Sequence, residues 1–227
     1  MGQRTALQRS INTERALSSV RPRLRGRSHL VAAVLAVPGV PLWVALTPPG
    51  TRLGVASFGV GIAVMLVLSA LLHLKPWDGA TYERLFRLDH TGIYAAISGT
   101  AIGIGVLGLD GWPGVALIVA ASVGGSLGVI VEWLPFAPPR GFSNTVYLSL
   151  GWLPVLLLPW LWAGAGPAAV GLLLAGGALY TVGAVIVALQ RPDPWPRWFG
   201  YHELWHLFVL IAAGMHGVLI ARLAAGV

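Results

Sequence analysis

Residues 201–224, YHELWHLFVLIAAGMHGVLIARLA, decide the fold. They form an apolar run long enough to cross hydrocarbon, which takes about 20 residues, and the run opens on His202-Glu203-Leu204-Trp205-His206. Histidines four residues apart share one helix face, one turn above each other, which suits two adjacent positions around a zinc ion. The same five residues read as H-E-x-x-H, the metallopeptidase pattern in which the glutamate is general base. Leu207 to Val227 contains no Asp, Glu or Cys. A third ligand has to come largely from upstream.

The rest of the chain resembles this run in character. Of 227 residues, 56% are hydrophobic and 10% charged, with a mean hydropathy of +0.76. A soluble domain carries about 25% charged residues, so the chain is an all-α integral membrane protein. Six further apolar runs lie at approximately 30–47, 54–75, 89–108, 112–133, 144–163 and 167–189. Seven transmembrane helices with short loops make one compact bundle over residues 29–227, preceded by a basic tail at 1–28. Trp43, Trp77, Trp112, Trp133, Trp195 and Trp198 fall near predicted ends, as an interfacial belt requires. Gly124, Gly128 and Gly176-Gly177 permit close helix approach.

Charge sets the orientation. With the N-terminus in the cytoplasm, thirteen of the 15 Lys and Arg fall on the cytoplasmic side; only Arg52 and Arg222 fall opposite. The positive-inside rule therefore puts the N-terminus inside and the C-terminus outside. The chain is expected in the plasma (inner) membrane. Seven arginines within the first 27 residues read as a solvated cytoplasmic tail lying against anionic lipid; an organelle transit peptide is the alternative. No aromatic-basic interleaving follows, so the net charge of +7 does not indicate nucleic acid. Zero cysteines leave a metal only His, carboxylate or water.

Ionisable groups inside a membrane default to functional hypotheses. His73 closes span 2, with Ser69 one turn before it on the same face. Asp89 and His90 open span 3, Glu132 closes span 4, and His202 and His206 open span 7. Alternating span directions bring His73, Asp89, His202 and His206 to one depth, at the cytoplasmic leaflet. His216 lies about 15 Å deeper than His206 at 1.5 Å per residue, too far to share an ion. Bland readings accompany these: His29, His90 and His216 as interfacial hydrogen-bonding groups, Glu132 as an interfacial carboxylate. Ser69 can back-bond to its own helix, and Asp89 can cap span 3. A three-histidine site with an open position for water is catalytic zinc geometry. Asp89 is then the candidate to take the proton of that water, and Ser69 the partner of the water or a developing oxyanion.

Several stretches carry a resemblance: Ser69-Ala-Leu-Leu-His73, Arg87-Leu-Asp89-His90-Thr-Gly-Ile-Tyr94 and Gly151-Trp-Leu-Pro154. Gly176-Gly-Ala-Leu-Tyr180-Thr-Val-Gly183 and His202-Glu-Leu-Trp-His206-Leu-Phe complete the set. Between about residues 55 and 216 the chain resembles the haemolysin III family, within the progestin and adipoQ (adiponectin) receptor superfamily. The resemblance implies a seven-helix membrane protein with its N-terminus inside. It implies zinc on His73, His202 and His206, with Asp89 and Ser69 beside the water. Ceramide-cleaving relatives make the implied chemistry lipid-amide hydrolysis. The family name records a haemolytic claim instead, and receptor relatives bind hormones. One departure stands at Ser98-Gly-Thr-Ala-Ile-Gly103, where the family commonly runs A-G-T-Y-T-P.

Four functions compete. The first is a zinc-dependent hydrolase of membrane-lipid amides or esters bound in the bundle cavity. The second is a receptor-like or membrane-stress sensor with structural zinc. A pore-forming cytolysin needs water-lining polar stripes that these apolar spans lack. A metallopeptidase using Glu203 as base is the fourth.

Overall fold

The computed structural model describes residues 21–135, 139 and 141–227. Its elements are α1 (Arg27–Leu46), a 3-10 turn (Pro49–Thr51), α2 (Arg52–His73), α3 (Gly79–Gly108) and α4 (Trp112–Trp133). Then come α5 (Phe142–Gly151), a 3-10 segment (Leu153–Leu157), α6 (Leu158–Leu189) and α7 (Tyr201–Ala225). Six stretches among the described residues are helical, long and apolar enough to cross a membrane. The protein is an all-helical, multi-pass membrane protein.

The first, second, fourth and last helices follow the apolar runs closely, and the third, fifth and sixth runs are corrected. The third run was expected to start at Asp89, but α3 starts ten residues earlier. Asp78 is its N-cap: the carboxylate accepts from the Thr81 amide at 2.9 Å and from the Thr81 hydroxyl at 2.8 Å. Those bonds satisfy donors that every helix start leaves unpaired. Asp89 therefore lies inside a helix and caps nothing.

The expected fifth and sixth runs form one stretch, Phe142–Leu189, of 48 residues. It is not straight. Gly166 takes φ 77°, ψ −179°, and Pro167 follows, so helical hydrogen bonding is interrupted there. Trp152 Nε1 donates to Thr181 Oγ1 at 3.0 Å, although a continuous helix would separate those residues by about 44 Å. The chain turns back on itself between them.

Packing inverts the pattern of a soluble domain: valines and leucines such as Val34, Leu35 and Leu127 are exposed, while His29, Ser69, Glu203, His206 and His216 are buried. Lipid makes the first half of that inversion cheap, and the second half needs internal partners. Helices α2 and α3 approach to backbone contact. A Cβ on Gly61 would stand 2.4 Å from the Ala95 carbonyl oxygen, and one on Gly99 2.3 Å from that of Ser57. The expected glycine contacts are present too, as seats for side chains. Gly128 receives the Tyr94 ring, Gly124 receives Leu150, and Gly176-Gly177 receive His216 and Trp152.

Candidate metal centre

Three helices deliver the centre. The last turns of α2 carry Ser69 and His73, and the first turns of α7 carry His202 and His206. Asp89 comes from α3. One nitrogen from each of His73, His202 and His206 lies within 4.8 Å of the other two. His73 Nε2 and His202 Nε2 are 3.2 Å apart. The rings meet edge-on or tilted, with centroids 4.6–5.1 Å apart, so their nitrogens converge on a point and the rings do not stack. Asp89 Oδ2 stands 4.0 Å from His73 Nε2, and Ser69, His73, Asp89, His202 and His206 all line one cavity. The structure thus brings together all five residues expected at the site.

Sequence reading missed the fourth histidine. His29, expected as an interfacial group, is 3% exposed. Its Nδ1 lies 2.9 Å from Ser69 Oγ, and its ring lies flat on His206, centroids 3.8 Å apart and planes 5° apart. Only His29 and Ala33 of α1 are buried, four apart on one helix face, but the sequence of α1 carries no mark of which face that is.

Residues 21–26, within the stretch expected as a solvated tail, close over the helix ends. Backbone bonds run from Arg23 to the Arg197 carbonyl and from Leu24 to that of Trp198, at 3.0 and 3.1 Å. The Arg23 guanidinium sits 4.4 Å over the Trp198 ring, and Arg21 donates to the His73 carbonyl. Gly26, at φ 75°, passes so close that a Cβ there would lie 2.7 Å from the His73 Cβ. Residues 1–20, the rest of that expected tail, lie outside the described residues.

Arg25 also decides Glu203. The glutamate accepts from Arg25 through Oε1 and from the Gly200 amide, at 2.8 Å, through Oε2. Both carboxylate oxygens are engaged in holding the start of α7. The H-E-x-x-H resemblance to a peptidase ends there: Glu203 is a buried structural anchor, and the carboxylate beside the histidines is Asp89.

A cavity of about 1370 Å³ opens from the histidines and runs between the helices. Ile97, Ile104 and Leu173 line its body, and His216 lines it deeper along α7. His216 Nε2 lies 3.3 Å from the Leu173 carbonyl oxygen, apart from the three-histidine group as its depth predicts. His90 and Glu132 form a separate pair joining α3 to α4, Nδ1 to Oε1 at 3.3 Å.

The family model described as Haemolysin-III related matches residues 17–217. The chain belongs to the haemolysin III family. Hemolysin-3 of Bacillus cereus is 32% identical over 196 residues, covering 83% of this chain and 84% of that protein. The Hemolysin-3 homolog of Bacillus subtilis (strain 168) is 30% identical, over 81% and 84%. The adiponectin receptor protein of Drosophila melanogaster is 28% identical over 74% of this chain and 42% of its own length. The haemolysin III match and the receptor match together put the chain in the progestin and adipoQ receptor superfamily.

Proposed function

We propose that this haemolysin III family member is a zinc-dependent membrane hydrolase acting on lipid amides or esters. The observation that carries it is the convergence of three histidine nitrogens at one end of a long apolar cavity. The donor set fits zinc. Nitrogens held at about 2.0–2.1 Å on a tetrahedral ion stand about 3.3–3.4 Å apart, against 3.2 Å between His73 and His202. His206 adds a buried Nδ1 with no hydrogen-bond partner among the described residues. Bound zinc supplies Lewis acidity and lowers the pKa of a coordinated water toward about 7.

The chain's own groups do the rest. Asp89 would accept the proton of the attacking water and return it to the departing amine or alkoxide, while Ser69, one turn from His73, would offer its hydroxyl to the developing oxyanion. The apolar cavity body takes the acyl chain and keeps bulk water from the reacting carbonyl.

The chain crosses the membrane seven times in this reading, because the turn at Gly166 divides Phe142–Leu189 into two crossings. The N-terminus is cytoplasmic, the C-terminus is outside, and the centre faces the cytoplasmic leaflet of the plasma (inner) membrane. The charge asymmetry supports that orientation. Anionic lipid is the partner of the remaining basic tail. The receptor name of the Drosophila relative favours a second reading, a ligand sensor in which zinc is structural.

Metal analysis of the detergent-purified chain is expected to give about one zinc per chain, and His73→Ala/His202→Ala to remove it. Zinc retained by that double variant overturns the site. Cleavage of ceramides and long-chain esters in mixed vesicles, lost in Asp89→Asn, supports the hydrolase. Bound zinc with no cleavage across such a lipid panel transfers the assignment to the sensor.

A further inference from the structure

The Ser69 hydroxyl is held from outside its own helix: His29 Nδ1 lies 2.9 Å from Ser69 Oγ. Ser69, Asp89 and the three histidines line one cavity, so the group that holds Ser69 stands at the edge of the centre.

The face of the same imidazole lies on His206, parallel to within 5° at 3.8 Å. One side chain therefore touches both Ser69 and the three-histidine group, the first through its Nδ1 and the second by stacking. Its helix, α1, supplies no member of the three-histidine group. The segment before it is fixed by Arg25 on Glu203 and by the close pass of Gly26 over His73, which sets where α1 enters the bundle. A buried polar ring on an otherwise lipid-facing helix needs such partners to be tolerated.

We propose that His29 is the positioning residue of this centre. It holds the Ser69 hydroxyl, and by stacking it fixes the ring of His206. The proposal rests on the zinc reading above and is independent of turnover.

Zinc affinity by chelator competition and the absorption spectrum of the cobalt-loaded chain test it, both on the full chain in detergent. Partners that orient ligands typically contribute about 10–100-fold in metal affinity, and His29→Leu is expected to lose within that range and to alter the cobalt spectrum. Two further variants divide the two contacts. His29→Phe keeps a stacked ring without a donor, so it retains affinity within a few-fold. His29→Asn keeps a donor without the stacked ring, so it loses affinity as His29→Leu does. In a Ser69→Ala background His29→Leu is expected to lose the same factor again, because the affinity effect runs through the stacked ring and the two changes multiply. Wild-type affinity and spectrum in all three His29 variants overturn the positioning role while leaving the zinc site intact. No zinc in the wild-type chain overturns both. If His29→Leu does not fold, the contrast between His29→Phe and His29→Asn still decides.

Discussion

The cavity has histidine at two depths, and the two places are built differently. At the mouth, His73, His202 and His206 turn nitrogens toward one another from two helices. Deeper on the same α7, His216 turns Nε2 toward the Leu173 carbonyl of α6. Residue type, helix and cavity are shared. Convergence is what differs: a histidine satisfied by a carbonyl is part of the packing, while nitrogens aimed at a common point can hold a cation. The carboxylates repeat the lesson. Glu203 is spent on Arg25 and the Gly200 amide, whereas Asp89 faces His73 across 4.0 Å.

The largest expected difference is in metal binding. His202→Ala should weaken zinc by more than the roughly 100-fold that orienting partners contribute. His216→Leu should bind zinc like the wild type, losing about 1 kcal/mol of stability with its hydrogen bond to Leu173. Chelator competition beside thermal unfolding measures both. Equal zinc loss in the two variants breaks the comparison.

Next in size is the contrast of carboxylates. Asp89→Asn should lower kcat by about 10²–10⁴-fold, the range of a general base, with zinc retained. Glu203→Gln should leave kcat within a few-fold and destabilise the chain by about 2 kcal/mol, as loss of a charged hydrogen bond does. Steady-state kinetics on a cleavable lipid decide it: a collapse of kcat in Glu203→Gln alone would return the base to the peptidase position.

The smallest effect tests the carboxylate that does cap α3. Hydrogen bonds from Thr81 hold the Asp78 carboxyl below its usual range. A depressed folded pKa means stability that is present above the unfolded value, about 3.9, and is lost as pH falls through the folded one. Asp78→Asn keeps a capping oxygen but not the charge, so it should show a slightly lower Tm at neutral pH and less loss on acidification. Thermal scans between neutral pH and pH 3 read this directly; an unchanged acid limb counts against the cap.

Much of the centre was legible because helices write their geometry locally. Ser69 and His73, like His202 and His206, are four residues apart, and that spacing fixes a shared face whatever the tertiary fold. Alternating spans then place helix ends at one depth, which is how His73 and Asp89 could be matched to the α7 pair. His29 was not legible as a partner, since nothing at residues 27–33 tells which way the first helix is rotated. Asp89 looked like a helix start because hydropathy rises there, although α3 begins at Gly79, where Asp78 supplies the cap.

By itself the sequence determined the membrane class, the apolar runs, the family and the identity of three convergent histidines. All of these follow from hydropathy, helical period and motif, which are short-range properties. Only the tertiary structure decided that Arg25 claims Glu203, that His29 backs both Ser69 and His206, and that Phe142–Leu189 turns back at Gly166. These contacts join residues as far as 178 positions apart. They depend on how helices rotate and pack side by side, and in a bilayer, where every outer face is apolar, no hydrophobic pattern records that rotation.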